Sequence, residues 1–260
     1  MPWYERPDGC RLSYELHGPE AGPPLLLLEG LGGDIPGWRR NIPRLSQRYR
    51  VIAYDFRGNG LSDKPFGPMS IGTLLADTFG LLEHLGIGSA HIYGQSLGGM
   101  VGIEMALAHP EEVRSLVLGA SHAGRRRATP VGPSGKVPKD MPYLALYSEG
   151  FAREHPDHIA EDVLVGSQNP QPLYASRRQW QAVDGWDAWD RLQEISVPTL
   201  VLHGTDDRLV SAENARRMAG AIPGAELVLL EGAGHVFHSE LPDQADAAVL
   251  SFLDRVEAGR

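Results

Sequence analysis

The chain has 260 residues, with 33 acidic against 24 basic side chains and a net charge of −9. That length fits one large α/β domain or two small ones, with a core that needs no covalent staples. A single cysteine, Cys10, excludes an internal disulfide framework and any cysteine-cluster zinc site.

The acidic balance argues against nucleic acid as a partner. The densest basic run, Arg125-Arg126-Arg127, reads as solvated surface. No apolar stretch approaches the ~18 residues of a membrane span, and the run from Leu25 to Leu28 stops at Glu29. The opening Met1-Pro2-Trp3-Tyr4-Glu5-Arg6-Pro7 lacks the basic-then-apolar order of a signal peptide. The expected location is the cytoplasm, with no membrane partner; oligomeric state leaves no mark in the sequence.

In chain order, alternation at residues 12–16 predicts an antiparallel lead strand. Short apolar runs at 24–29, 50–55, 90–94, 113–119, 199–203 and 225–230 predict further strands. Leu200-Val201-Leu202 is apolar on both parities, which suits a parallel sheet covered on both faces. Helix-length segments fall between them at 38–47, 71–84, 97–109, 212–221 and 243–256. Leu85-Gly86, His109-Pro110 and Ile222-Pro223-Gly224 supply stop signals.

The rhythm breaks between Gly124 and Ser196. Residues 132–138 read as a loop, and 143–153, 159–166 and 174–183 as short helices, with Trp180, Trp186 and Trp189 nearby. This predicts a helical insertion, residues 124–195, placed over one edge of a core built from 1–123 and 196–260. Gly124 and Gly132 are its candidate hinges.

The strongest chemical signal is Gly94-Gln95-Ser96-Leu97-Gly98-Gly99, which follows a predicted strand and opens a predicted helix. With 31 glycines in the chain the G-x-S-x-G pattern alone is cheap, so its strand-to-helix context decides. In that context Ser96 sits on a tight turn with its hydroxyl exposed and the N–H of Leu97 directed at a developing oxyanion. A serine hydroxyl needs a base and a group that orients the base. Carboxylates Asp206 and Asp207 follow the strand ending at His203. Histidines His235 and His238 follow the last strand.

These motifs, with the loop Asp55-Phe56-Arg57-Gly58-Asn59-Gly60-Leu61-Ser62, closely resemble the α/β-hydrolase superfamily, in its capped serine esterase and lactonase branch. The resemblance spans nearly the whole chain outside the insertion and is nearest to enol-lactonase-like hydrolases. It implies the α/β-hydrolase fold, a mostly parallel sheet with helices on both faces and a helical cap inserted before the penultimate strands. It further implies Ser96, Asp207 and His235 as a triad, with Asp207 chosen over Asp206 and His235 over His238. The N–H of Leu31 becomes the second oxyanion donor, with Gly32 as fallback.

The expected reaction is acyl transfer from a small ester or lactone to water through an acyl-enzyme. Diketone carbon–carbon cleavage and thioester hydrolysis remain open on the same triad, and a ligand receptor on this fold is the rival from another class. The family usually has histidine where this chain has Glu29; a tie to loop amides or to Arg57, or contact with substrate, is the expected role. Trp180, Trp186 and Phe151, together with Glu29 and Gly32, are the expected pocket residues. Neither a G-x-G-x-x-G nor a G-x-x-x-x-G-K-[ST] loop nor an H-E-x-x-H helix occurs, so neither cofactor nor metal is expected.

Overall fold

The computed structural model describes residues 2–130 and 141–259. Among these the strands are β1 (Trp3–Glu5), β2 (Arg11–His17), β3 (Pro24–Leu28), β4 (Arg50–Tyr54), β5 (Ala90–Gln95), β6 (Val113–Gly119), β7 (Thr199–Gly204) and β8 (Glu226–Leu230). They form one sheet in the order β1-β2-β4-β3-β5-β6-β7-β8. The β1–β2 and β2–β4 pairs are antiparallel and the rest parallel.

The central strands are buried on both faces, and their side chains divide by parity. Leu26 and Leu28 join one core with Ile92, Leu116, Val201 and the helices α2 (Ile71–His84), α3 (Leu97–Ala108) and α7 (Ala212–Ala221). Leu25 and Leu27 join the other with Trp38, Tyr93, Val117 and the helix α9 (Pro242–Ala258). Chain order reverses between β3 and β5, so a crevice opens at their carboxyl ends, where α/β sheets place their sites.

Two predicted helices are shorter than the sequence suggests. In place of a helix over 38–47 there is a 3₁₀ turn that ends at Trp38, Ile35–Trp38, and then the single turn α1 (Ile42–Leu45). Pro36 and Pro43 lack N–H groups, and each opens its own turn rather than continuing another. Residues 143–153 split into a 3₁₀ turn, Pro142–Leu146, and α4 (Glu149–Glu154), because Ser148 caps α4 by accepting from the Phe151 N–H. Strand β1 escaped the sequence reading, being three residues on the sheet edge.

The stretch between β6 and β7 continues with α5 (Pro156–Gly166) and α6 (Leu173–Asp184). Several of its polar ties run to loops at the carboxyl ends of the strands, and others to α3 and α7. Arg40 donates to Glu161 at 2.6 Å, Tyr174 to the Lys64 carbonyl at 2.7 Å and Arg178 to the Pro65 carbonyl at 2.8 Å. Gly124, a candidate hinge, is bridged to Asp187, and its carbonyl accepts from the Trp189 indole at 3.0 Å. Gly132 and the 132–138 loop lie outside the described residues. No helix among the described residues is long and apolar enough to cross a membrane.

The N-terminal hairpin is tied to α2 by charge. Arg57 places two nitrogens on Asp77, at 2.5 and 2.6 Å, and a third on Asp8 at 3.0 Å, while Arg6 reaches Asp77 at 3.0 Å. Asp77 is fully buried. Asp77→Ala removes two of the three bonds of the buried Arg57 guanidinium, leaving it the half-exposed Asp8, and is expected to lower the unfolding free energy by about 3–5 kcal/mol in urea denaturation. A loss below about 1 kcal/mol would mean that desolvation cancels the pair.

Candidate active site

Five loops leave the carboxyl ends of β3, β5, β6, β7 and β8 and converge on one cavity of about 740 Å³. Ser96 stands between β5 and α3 at φ 52° and ψ −110°, a conformation few side chains tolerate. Its N–H donates to the Gly119 carbonyl at 2.7 Å, and its own carbonyl accepts from Ser121 Oγ at 2.8 Å. The flanking glycines make the turn sterically possible. A β-carbon on Gly98 would strike the Leu28 carbonyl, and one on Gly94 the Gly98 carbonyl.

Asp207 is buried, whereas Asp206 is exposed. Asp207 Oδ2 accepts from His235 Nδ1 at 2.8 Å, and its Oδ1 accepts the N–H groups of Leu209 and Val210 at 2.8 and 2.9 Å. A second imidazole also reaches it: His203 Nε2 lies 3.1 Å from Oδ2 and 2.9 Å from the Val210 carbonyl. That carbonyl can only accept, so the His203 proton is on Nε2. Burial opposes the Asp207 charge, but the His235 charge and the bonds from His203 and His235 outweigh it and hold the carboxyl well below the usual range. Because Nδ1 of His235 carries the proton shared with Asp207, the lone pair of its neutral form is on Nε2.

The Gly30–Gly33 loop follows β3. Gly30 packs on Ser96, where a β-carbon would lie 3.3 Å from Ser96 Cβ. The Gly32 N–H is taken by Gln179 Oε1 at 3.1 Å and that of Gly33 by the Gly30 carbonyl at 3.1 Å. Among the described residues the N–H groups of Leu31 and Leu97 meet no acceptor.

Glu29 lines the cavity and is bonded to its own loop through the Gly30 N–H, with His238 Nε2 at 3.4 Å from Oε1. The expected tie to Arg57 is not made, because that guanidinium is held by Asp77 and Asp8. His238 is the second residue of the short helix α8 (Phe237–Glu240) and packs on Trp38.

Of the aromatic residues expected at the pocket, Trp180 lines the cavity, with Arg125 over its ring at 5.1 Å. Trp186 and Phe151 do not line it. The Trp186 indole donates to Glu104 of α3 at 2.7 Å, which draws the ring onto the core. Phe151 packs among Tyr147, His155 and His158.

Sequence reasoning missed His122 and Gln95. His122 Nδ1 accepts the Gly124 N–H at 3.2 Å; burial, then repulsion from His235 and Arg125, pushes its pKa down to about 4. It is a neutral ring in the cavity wall. Gln95 Nε2 donates to the His235 carbonyl at 2.7 Å and so joins β5 to the His235 loop. His122 stands in no spacing that marks it, and Gln95 occupies an unspecified position of the G-x-S-x-G pattern. Among the described residues, the grouping with metal-ligand spacing is His109, Glu111 and Glu112, at the end of α3 remote from Ser96.

A parallel sheet that brings a serine on a strained strand-to-helix turn, an aspartate–histidine pair and a glycine loop to one cavity defines a hydrolase site of the α/β class. Residues 23–161 and 165–242 match the family described as alpha/beta hydrolase fold, and the chain belongs to that family, an enzyme family of hydrolases. A relative in Azorhizobium caulinodans, whose name is that of a carbamate hydrolase, RutD, is 33% identical over 99% of this chain and 100% of its own. The 3-oxoadipate enol-lactonase 2 of Acinetobacter baylyi is 30% identical, over 94% and 93%. Among solved structures the enol-lactonase of Burkholderia xenovorans LB400 superposes with a TM-score of 0.83 at 30% identity, covering 97% of this chain and 100% of that one. The resemblance to enol-lactonases read from the motifs therefore holds.

Burial lowers the His235 pKa, but Asp207, by charge and hydrogen bond, and then the Glu29 charge raise it above the ordinary imidazole value. Glu29→Gln removes one of the charges that favour the imidazolium. The His235 ring resonances followed by NMR are expected to titrate at lower pH in that variant, and an unmoved titration would remove Glu29 from the electrostatics of the site.

Proposed function

We propose that the protein hydrolyses a small carboxylic ester or lactone through Ser96, His235 and Asp207 and a covalent acyl-enzyme. The observation that carries this reading is the 2.8 Å Asp207–His235 pair, opening on the same cavity as Ser96 and the Gly30–Gly33 loop. His235 Nε2 takes the Ser96 proton as Oγ attacks the acyl carbon, and Asp207 holds the ring in that tautomer and balances the imidazolium. The oxyanion is received by the N–H groups of Leu97 and Leu31. His235 then protonates the leaving alcohol, which in a lactone stays tethered to the acyl group. Water, deprotonated by the same nitrogen, attacks the acyl carbon and releases the acid and Ser96.

Residues 124–195 are taken as a cap over a core of 1–123 and 196–260. In support, Arg125, Leu146, Trp180 and Val183 line the cavity together with Leu31, Met100 and Val210 from the core. A mostly apolar wall with a few polar groups suits an acyl group of small to medium size. A carbamate is the second reading, favoured by the relative in Azorhizobium caulinodans, because the same attack on an acyl carbon would begin it.

The test is hydrolysis of 4-nitrophenyl esters of graded acyl length, several lactones and several carbamates, with wild type and Ser96→Ala run side by side. Turnover by the wild type and a loss of roughly 10³–10⁶ in kcat for the variant are expected. A wild type inert on every member would sink the proposal, and an active Ser96→Ala would remove Ser96 as nucleophile. The better of the ester, lactone and carbamate series decides between the two readings.

A further inference from the structure

A loop of glycines does not hold one conformation by itself, since each lacks the β-carbon that narrows its backbone choices. The Gly30–Gly33 loop is held from outside by three side-chain amides. Gln179 Oε1 accepts the Gly32 N–H at 3.1 Å, and Asn59 Nδ2 donates to the Gly33 carbonyl at 2.6 Å. The two are joined by Gln179 Nε2 to Asn59 Oδ1 at 2.9 Å. Gln171 Nε2 closes the ring, donating to Asn59 Oδ1 at 2.6 Å and to Gln179 Oε1 at 2.8 Å.

The orientation of each amide follows from its main-chain end. An N–H can only donate, so Gln179 must turn its oxygen to Gly32; a carbonyl can only accept, so Asn59 must turn its nitrogen to Gly33. Each of those two side-chain oxygens then accepts twice. Gln179 and Asn59 are both fully buried. Asn59 belongs to the 55–62 loop. That loop also steadies the start of the next turn, since Asp55 Oδ1 accepts the Ile35 N–H at 2.8 Å. Gln171 and Gln179 come from the segment between β6 and β7.

We infer that Gln179 is a positioning residue for catalysis: through Gly32, and with Asn59 and Gln171, it sets where the Leu31 N–H points. This rests on the reading of Leu31 as an oxyanion donor. Gly32 stands at φ +75° directly after Leu31, so the peptide geometry at Leu31 is anchored one residue downstream by a side chain from the insertion. The insertion thereby completes the oxyanion site as well as covering the cavity. Charge on the tetrahedral adduct is where such placement counts, and the ground-state ester depends on it far less.

The experiment compares wild type, Gln179→Met and Ser96→Ala on the best 4-nitrophenyl ester. Inhibition is measured with the trifluoromethyl ketone of the same chain, which forms a Ser96 adduct, and with the matching alcohol, which forms none. Methionine keeps the length of glutamine and makes none of its bonds. Gln179→Met is expected to lose about 10–100-fold in kcat with KM within about threefold, as for a displacement of near 1 Å at a reacting centre. Ketone affinity should fall in parallel, and alcohol affinity should stay.

Wild-type kcat and ketone affinity in Gln179→Met, with Ser96→Ala inactive, would overturn the positioning role alone. An active Ser96→Ala would overturn the triad reading on which it rests. A rise in KM with equal weakening of ketone and alcohol would make Gln179 a substrate-binding residue and would also overturn the inference. If Gln179→Met has no cooperative melt, Gln171→Ala, at a half-buried position, is judged by the same split with an expected kcat loss of about three- to tenfold.

Discussion

The constraint on which the site depends is the backbone at Ser96. A non-glycine residue at φ 52° is stable only where its surroundings over-determine it. Here the strand β5 delivers it, the Gly119 carbonyl holds its N–H, and close approach of the backbone at Gly94, Gly98 and Leu28 leaves the turn no other path. The consequence is chemical. Ser96 is lifted out of the sheet edge beside Gly30, and the first N–H of α3 is left free to meet a ligand.

Around that turn, charge is arranged in layers. Asp207 is ionised in a buried place because two imidazoles and two main-chain N–H groups converge on it. Its charge, with that of Glu29, raises the affinity of His235 for a proton. His122 faces the same cavity and is driven the other way, to a neutral ring. Burial has the same sign for both histidines; the neighbouring carboxylates decide the difference.

The glycines that follow Glu29 make room for its side chain. Its carboxylate fills the space left by Gly33 and Gly37, where a β-carbon would collide with it, and bonds to its own loop. The added negative charge is felt nearby: burial, then Asp55 and Glu29, push the Asp34 pKa up to about 7. The Gly30–Gly33 loop is thus bonded by the Glu29 carboxylate at Gly30 and by the neutral amides of Gln179 and Asn59 at Gly32 and Gly33.

Much of this was legible in the linear chain. The parallel strands announce themselves as short apolar runs, α2 and α7 end where the sequence places their stops, and the glycines around Ser96 state a turn before any coordinate is seen. These features are local: strand burial, helix capping and backbone crowding are written within a few residues. The short turn that replaces a helix over residues 38–47 was locally written too, in Pro43 within it and Pro36 just before it, but periodicity masked it.

Tertiary structure alone decided the long-range polar contacts. No spacing tells that Gln179 reaches Gly32 across 147 positions, that Arg57 turns to Asp77 and away from Glu29, or that His203 shares Asp207 with His235. Nor does sequence say which aromatic ring of the insertion faces the cavity: Trp186 is drawn to the core by its bond to Glu104, and Trp180 stands at the cavity under Arg125. A hydrogen bond depends on direction and on fractions of an ångström between atoms that the chain brings together only once it is folded. Hydrophobic pattern carries no such direction.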